Sequence, residues 1–234
     1  MPAPRCAAVV TAAGASARMG GAAKKEFLAI GGVPVLALAV RPFLAAGMER
    51  VVVTLPAGRL ADAAALLAPH VDVAALTLVE GGDTRQESVR RGLLALADDP
   101  PDLVLVHDGA RPWLAPDLLK RVADAADRFG ACVPVVEVAE AVKEVGGEAG
   151  GAGGPADAPL VLRHLPRHTL RFAQTPQGFA YPRILAAHER ARAEGLSFVD
   201  DAEVYARFAG PVAWVPGDGA NRKITLVEDL EEGA

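Results

Sequence analysis

CAAVVTAAGASARMG, residues 6–20, joins an uninterrupted apolar run to a loop of Ala, Gly and Ser, and that junction decides the fold. A run without polar alternation reads as a strand buried on both faces, as in a parallel sheet covered by helices. The same kind of run returns at RVVVTL (50–55), near 75–79, at LVLVHD (103–108) and at ACVPVV (131–136). Between these lie helical patterns over 34–46, 58–68, 84–97 and 115–129. Strand and helix alternate, which predicts an α/β fold: one Rossmann-like domain over residues 1–234 with a mainly parallel sheet. Ligands of such sheets sit beyond the carboxyl ends of the strands, and each motif below is expected in a loop there.

Composition narrows the classes. The chain of 234 residues is 51% hydrophobic but only 5% aromatic, so Ala, Val and Leu must fill the core. A net charge of −5 argues against a broad basic face for nucleic acid and points to a local phosphate site. No apolar stretch approaches the roughly 18 residues of a membrane span, and no signal-peptide layout is present. A cytoplasmic protein without a membrane partner is the expectation. Cys6 and Cys132 match no metal or redox spacing and read as buried free thiols.

One segment interrupts the alternation. GGEAGGAGGPADAP (146–159) holds six Gly and two Pro between VAEAVKEV and LVLRHLP. With the strand–helix pattern resuming after it, this reads as the tip of an arm over 137–166 rather than a linker between domains.

The first loop has the chemistry of an anion cradle. Small residues at Ala12, Ala13 and Gly14 let the backbone approach a ligand closely, and Arg18, Lys24 and Lys25 add cations. It is neither a Walker loop nor the dinucleotide fingerprint, and VVVTLPAG ends without the acidic residue a ribose would need. In GGDTRQESV (81–89), Gly82, Asp83 and Ser88 suit a small polar ligand, while Asp83 or Thr84 suits a helix cap; the two readings are compatible. VHDGARP (106–112) ends a strand on Asp108, followed by Gly109 and Arg111. Asp108 fits either a Mg²⁺ shared with phosphates or an ion pair with Arg111. His107 reads as packed and hydrogen-bonded only.

Taken in order, AAG-x-S-x-RMG, KKEF, GGD-x-R-x-x-S, VHDGARP, QTPQGF, VDDAE and N-x-KIT-x-x-EDL span residues 8–230. This series resembles the 2-C-methyl-D-erythritol 4-phosphate cytidylyltransferases. The resemblance implies transfer of CMP from CTP to the methylerythritol phosphate, with release of pyrophosphate and Mg²⁺ held mainly by the CTP phosphates. It implies that Arg18 and Lys25 stabilise the transition state and that Arg167 and Lys223 hold the second substrate's phosphate. Backbone around Ala12, Ala13 and Gly14, with Gly82, Asp83, Ser88, Asp108, Gly109 and Arg111, would surround the nucleotide. It also implies a homodimer in which each arm reaches the neighbouring site. Because the sequence stops soon after the last motif, no second catalytic domain is expected.

Four positions depart from the family pattern. Ala141 and Val199 stand where threonines are usual, Pro166 where an Asp is usual, and Lys24 where a Pro is usual. Two lost hydroxyls bear on the second substrate and not on the CTP site. They keep open another polyol phosphate such as ribitol 5-phosphate, beside a catalytically silent CTP-binding homologue.

Overall fold

The structure, a computed structural model, describes residues 3–14, 25–146, 159–226 and 228–233. Its centre is set by three strands whose residues are almost all buried: β1 (Cys6–Thr11), β4 (Arg50–Leu55) and β6 (Leu103–Asp108). Two short strands, β2 (Ala29–Ile30) and β3 (Val33–Pro34), form a separate hairpin ahead of helix α1 (Val35–Ala45). Helix α2 (Leu60–Leu67), strand β5 (Leu76–Glu80), helix α3 (Arg85–Leu94), helix α4 (Pro116–Phe129) and strand β7 (Ala131–Glu137) follow. Beyond the arm strands β8 (Lys143–Gly146) and β9 (Leu160–His164) come β10 (Arg171–Ala173), β11 (Gln177–Ala180), helices α5 (Tyr181–Ala193) and α6 (Asp201–Phe208), and β12 (Ala213–Pro216).

The main sheet has the order β10-β7-β11-β6-β1-β4-β5, with β12 paired to β7. Strands β5, β4, β1 and β6 are mutually parallel, as is the β7–β12 pair; β10 and β11 run antiparallel. Side chains of successive strand residues point to opposite faces. In β1, Ala8 and Val10 therefore join Leu36, Val40, Phe43, Leu118 and Val122 beneath α1 and α4. Ala7 and Val9 join Val89, Leu93, Phe179, Ile184 and Tyr205 beneath α3 and α5. This two-sided burial is why the strand runs carry no polar alternation.

Local chemistry ends and seats the helices. Pro116 opens α4, and Gly130 closes it with a left-handed φ of 84° while its N–H bonds the Ala126 carbonyl. Thr84 caps α3, its Oγ1 accepting from the Glu87 N–H at 3.0 Å. Gly92 lets α3 lie against β1: an added Cβ would stand 2.5 Å from Val9 Cγ1.

Two expectations change here. QTPQGF does not lie wholly in a loop: Gln177–Ala180 is the buried antiparallel strand β11, inserted between β6 and β7. Its short run has no period of its own to betray it. Cys132 is buried, but Cys6 is only partly so; burial pushes both thiols up to about 11. Among the described residues strands β8 and β9 pair only with each other, and Val145, Leu160, Val161 and Leu162 on them are exposed. Of the Gly-rich segment, residues 147–158 lie outside the described residues.

Candidate active site

Strand β6 delivers Asp108 to the carboxyl edge of the sheet, where the carboxylate meets three cations. Its Oδ1 accepts from Arg85 Nε at 3.0 Å, and its Oδ2 from Lys223 Nζ at 2.7 Å. Arg111 Nε lies 3.9 Å from Oδ2. Burial alone would raise the Asp108 pKa; the pull of Arg85, Lys223 and Arg111 overrides it and holds the group well below the usual carboxylate range. Burial lowers the Arg111 pKa from its ordinary value, a trend that nearby Asp108 opposes and Arg85 reinforces. The ion pair expected between Asp108 and Arg111 is present but is the longest of the three, behind those to Lys223 and Arg85.

Arg85 is the first residue of α3 and turns back over β6. Its NH1 forms an ion pair with Asp201 Oδ2 at 2.8 Å. Burial disfavours the guanidinium charge, but Asp201 and Asp108 together raise its pKa above the ordinary value.

The backbone beneath is tied by a buried network. The Asp108 N–H donates to Thr175 Oγ1 at 3.0 Å, and Thr175 Oγ1 lies 3.0 Å from His107 Nδ1. The Arg111 carbonyl can only accept, so Nε2 donates to it at 3.1 Å, and Nδ1 of a neutral ring then accepts from the Thr175 hydroxyl. This pattern fits a neutral ring, and burial pulls its pKa down to about 4. His107 is therefore packed and hydrogen-bonded, as its sequence context implied. Since its native pKa lies below the ordinary 6.5, protonation favours the unfolded chain. Stability is expected to be full above pH 6.5 and to fall by about 3 kcal/mol toward pH 4. Urea titrations at pH 7 and 4.5 measure this, and His107→Gln flattens the slope.

Asn221 closes the frame. Its Nδ2 donates to the Thr175 carbonyl at 2.7 Å, and its own carbonyl accepts from Arg111 NH1 at 2.7 Å. The Ile224 N–H bonds the Ala110 carbonyl at 2.9 Å, which sets Lys223 beside Asp108. The last motif thus returns to the central strand across more than 100 residues of chain.

Across the site, Ala12 is buried and its N–H bonds the Thr54 carbonyl, while Gly14 is exposed at the mouth. Ser88 is buried, and its hydroxyl holds the glycine turn, accepting from the Gly82 N–H at 3.1 Å. An added Cβ at Gly82 would lie 2.1 Å from Glu87 Cγ, so only glycine fits that turn. Asp83 is exposed, and the Gly109 N–H bonds the Thr11 carbonyl at 2.9 Å. A cavity of about 180 Å³ lies between these parts, lined by Thr11, Gly14, Arg85, Ser88, Asp108 and Lys223 among others.

Two of the expected catalytic cations cannot be placed. Arg18 lies outside the described residues, as does the Lys25 side chain; only the Lys25 backbone, opening a 3-10 turn, is described. Arg167 is exposed on the arm, donates to the Ala139 carbonyl at 2.6 Å, and is not among the groups bonded to Asp108. Ala141 is exposed, and so is Val199, at 89%. Sequence reasoning passed over Arg85, Thr175, Asn221 and Asp201, although each stands inside a motif it quoted. A larger cleft of about 660 Å³ opens at the opposite end of the strands. Its arginines, Arg5 and Arg50, are engaged by Asp99 and Asp98 and leave no comparable cluster among the described residues.

A mainly parallel α/β sheet with a cation-rich cavity at its carboxyl edge places a candidate anion site where open α/β sheets bind their ligands. The family model for 2-C-methyl-D-erythritol 4-phosphate cytidylyltransferase (IspD) matches residues 6–233. The chain belongs to that family. It is 40% identical over 229 residues to a bifunctional enzyme IspD/IspF of Rhodopseudomonas palustris, covering 97% of this chain and 54% of the relative. A relative of the same description from Novosphingobium aromaticivorans is 40% identical over 232 residues, 99% of this chain and 56% of the relative. The chain therefore spans about half the length of the curated relatives it matches. The crystal structure of 2-C-methyl-D-erythritol 4-phosphate cytidylyltransferase from Thermus thermophilus superposes with a TM-score of 0.73 at 35% identity, covering 96% of this chain and 95% of that one. The fold is shared as well with an Anaerococcus prevotii structure, at a TM-score of 0.80, 24% identity and coverage of 98% and 96%.

Proposed function

We propose that the chain transfers CMP from CTP to 2-C-methyl-D-erythritol 4-phosphate and releases pyrophosphate. The observation that carries this is the Asp108 cluster, in which Arg85, Lys223 and Arg111 surround one carboxylate beside the cavity. Cations gathered there suit two anionic phosphates that must be brought together against their repulsion. An oxygen of the polyol phosphate attacks the α-phosphorus in line, the bond to pyrophosphate breaks, and charge gathers on the equatorial and leaving oxygens. Lys223 holds the attacking phosphate, and Arg18 and Lys25 serve the triphosphate from the first loop. Ala12, Ala13, Gly14, Gly82 and Asp83 face the nucleotide, with Ser88 acting through the glycine turn it holds. No covalent enzyme intermediate is needed.

A divalent ion such as Mg²⁺ would shield the triphosphate and help pyrophosphate leave. Among the described residues no group of three or more His, Cys, Asp or Glu is arranged to hold a metal. Asp108 is already paired through both oxygens, so such an ion would be held mainly by the nucleotide's own phosphates.

Residues 1–234 form one catalytic domain in this reading, with 137–166 as an arm that pairs two copies. Exposed Leu160, Val161 and Leu162 and the outlying Arg167 support that role. Among the described residues no helix is long and apolar enough to cross a membrane. A second polyol substrate stays in view because Val199 offers no hydroxyl. Pyrophosphate release with CTP and Mg²⁺ separates the cases: release with methylerythritol phosphate supports the proposal. Release with ribitol 5-phosphate alone moves the substrate, and silence with both overturns the transferase reading.

A further inference from the structure

Behind the cavity, Arg85 divides its guanidinium between two carboxylates. Its Nε serves Asp108 Oδ1 at 3.0 Å, and its NH1 serves Asp201 Oδ2 at 2.8 Å. A guanidinium facing a lone carboxylate closes on it through two parallel bonds. Here that closure is prevented by the second acid. Asp201 is 1% exposed and is itself fixed on its other oxygen by His188 Nε2 at 3.1 Å, a ring that is fully buried. Its place on α6 is set by Gln177 of β11, which accepts from the Ala202 N–H and donates to the Asp200 carboxylate, each at 2.9 Å. The line His188–Asp201–Arg85 thus runs from the core to Asp108, and its end at the cavity is what gives a second buried carboxylate a purpose there.

We propose that Asp201 is a positioning residue: by holding Arg85 to one side, it leaves Asp108 Oδ2 to Lys223 and so fixes the amine at the cavity. The argument is a competition. Without the Asp201 charge, Arg85 turns onto Asp108 with both arms of its fork, the carboxylate rotates toward it, and Lys223 is released. Lys223 is about a third exposed, so a released amine swings into solvent. The released lysine no longer meets the polyol phosphate, so the loss falls on that substrate more than on the nucleotide. The kinetic half of this rests on the role proposed above for Lys223; the geometric half does not.

The test uses Asp201→Asn, which keeps the shape and removes the charge, in the full chain with its unfolding midpoint measured alongside. Acetylation of Lys223 by acetic anhydride, followed by peptide mass spectrometry, is expected to quicken several-fold, since an amine freed from its carboxylate is open to reagent. With CTP and methylerythritol phosphate, kcat/KM for the polyol phosphate is expected to fall about 10- to 100-fold, the range of one lost charged hydrogen bond, with KM for CTP moving less. In a Lys223→Gln background the Asp201 change should add nothing further, because both act at one step. Unchanged Lys223 labelling in folded Asp201→Asn protein, or losses that multiply in the double variant, would overturn the proposal. If the unaltered chain turns over no polyol phosphate, the functional reading fails alone, and the labelling comparison still decides this one.

Discussion

Lys223→Ala is expected to lower kcat/KM for the polyol phosphate by about 10²–10³, the loss that follows removal of one preorganised donor at a charged transition state. The reasoning starts from what the variant leaves behind. Asp108 keeps Arg85 at 3.0 Å and the nearby Arg111, so the carboxylate is not stranded. The lysine is partly exposed and carries little packing, so stability falls by only about 1 kcal/mol. Activity and stability therefore separate in this variant. The loss should appear in both kcat and KM for the polyol phosphate, because the cation meets that phosphate before and during attack, whereas KM for CTP moves little. Steady-state kinetics with each substrate varied in turn, beside a urea unfolding curve, gives all the quantities. A full-strength enzyme would remove Lys223 from the phosphate site; a collapse of stability would make it a structural cation instead.

The parallel half of the fold was legible because its physics is local. Strands β1, β4 and β6 must be apolar throughout when helices cover both faces, and that leaves an unmistakable run in the chain. Strands β10 and β11 left no such trace: RFA and QGFA are too short to show a period, and their place between or beside β6 and β7 is decided by tertiary pairing. The site divides similarly. Asp108 and Arg111 stand out because a charge at a strand end needs a reason, whereas Lys223 is singled out only by its place in the family motif. Arg85 and Asp201 belong together only through a contact across 116 positions, and an arginine opening a helix looks solvated until the fold turns it inward. Ser88 shows a subtler case. Its position in the GGD motif suggested ligand recognition, while its buried hydroxyl acts on the turn that the ligand would meet. Arg18 and Lys25 remain known by motif alone, since their side chains fall outside the described residues.

Asp108→Ala is expected to be the more damaging change, and in both respects at once. It removes the carboxylate that Arg85 and Lys223 share, with Arg111 also within reach, and two of those cations are largely buried. Breaking a buried ion pair by deleting one partner typically costs about 3–5 kcal/mol, because the remaining charge is desolvated without compensation. Arg85 retains Asp201, which limits the damage on that side; Lys223 and Arg111 have no second carboxylate among the ion pairs of the described residues. Activity should fall at least as far as in Lys223→Ala, about 10²–10³ or more, since the amine loses its anchor. The sign of the ligand effect then becomes diagnostic. An anion entering the cavity of the variant replaces the missing carboxylate, so pyrophosphate or CTP should raise the unfolding midpoint of Asp108→Ala more than that of the unaltered chain, in proportion to RT ln(1 + [L]/Kd). Thermal melts with and without pyrophosphate measure this directly. Equal shifts in the two proteins would mean that phosphates bind away from Asp108, and the cluster would lose its claim to be the phosphate site.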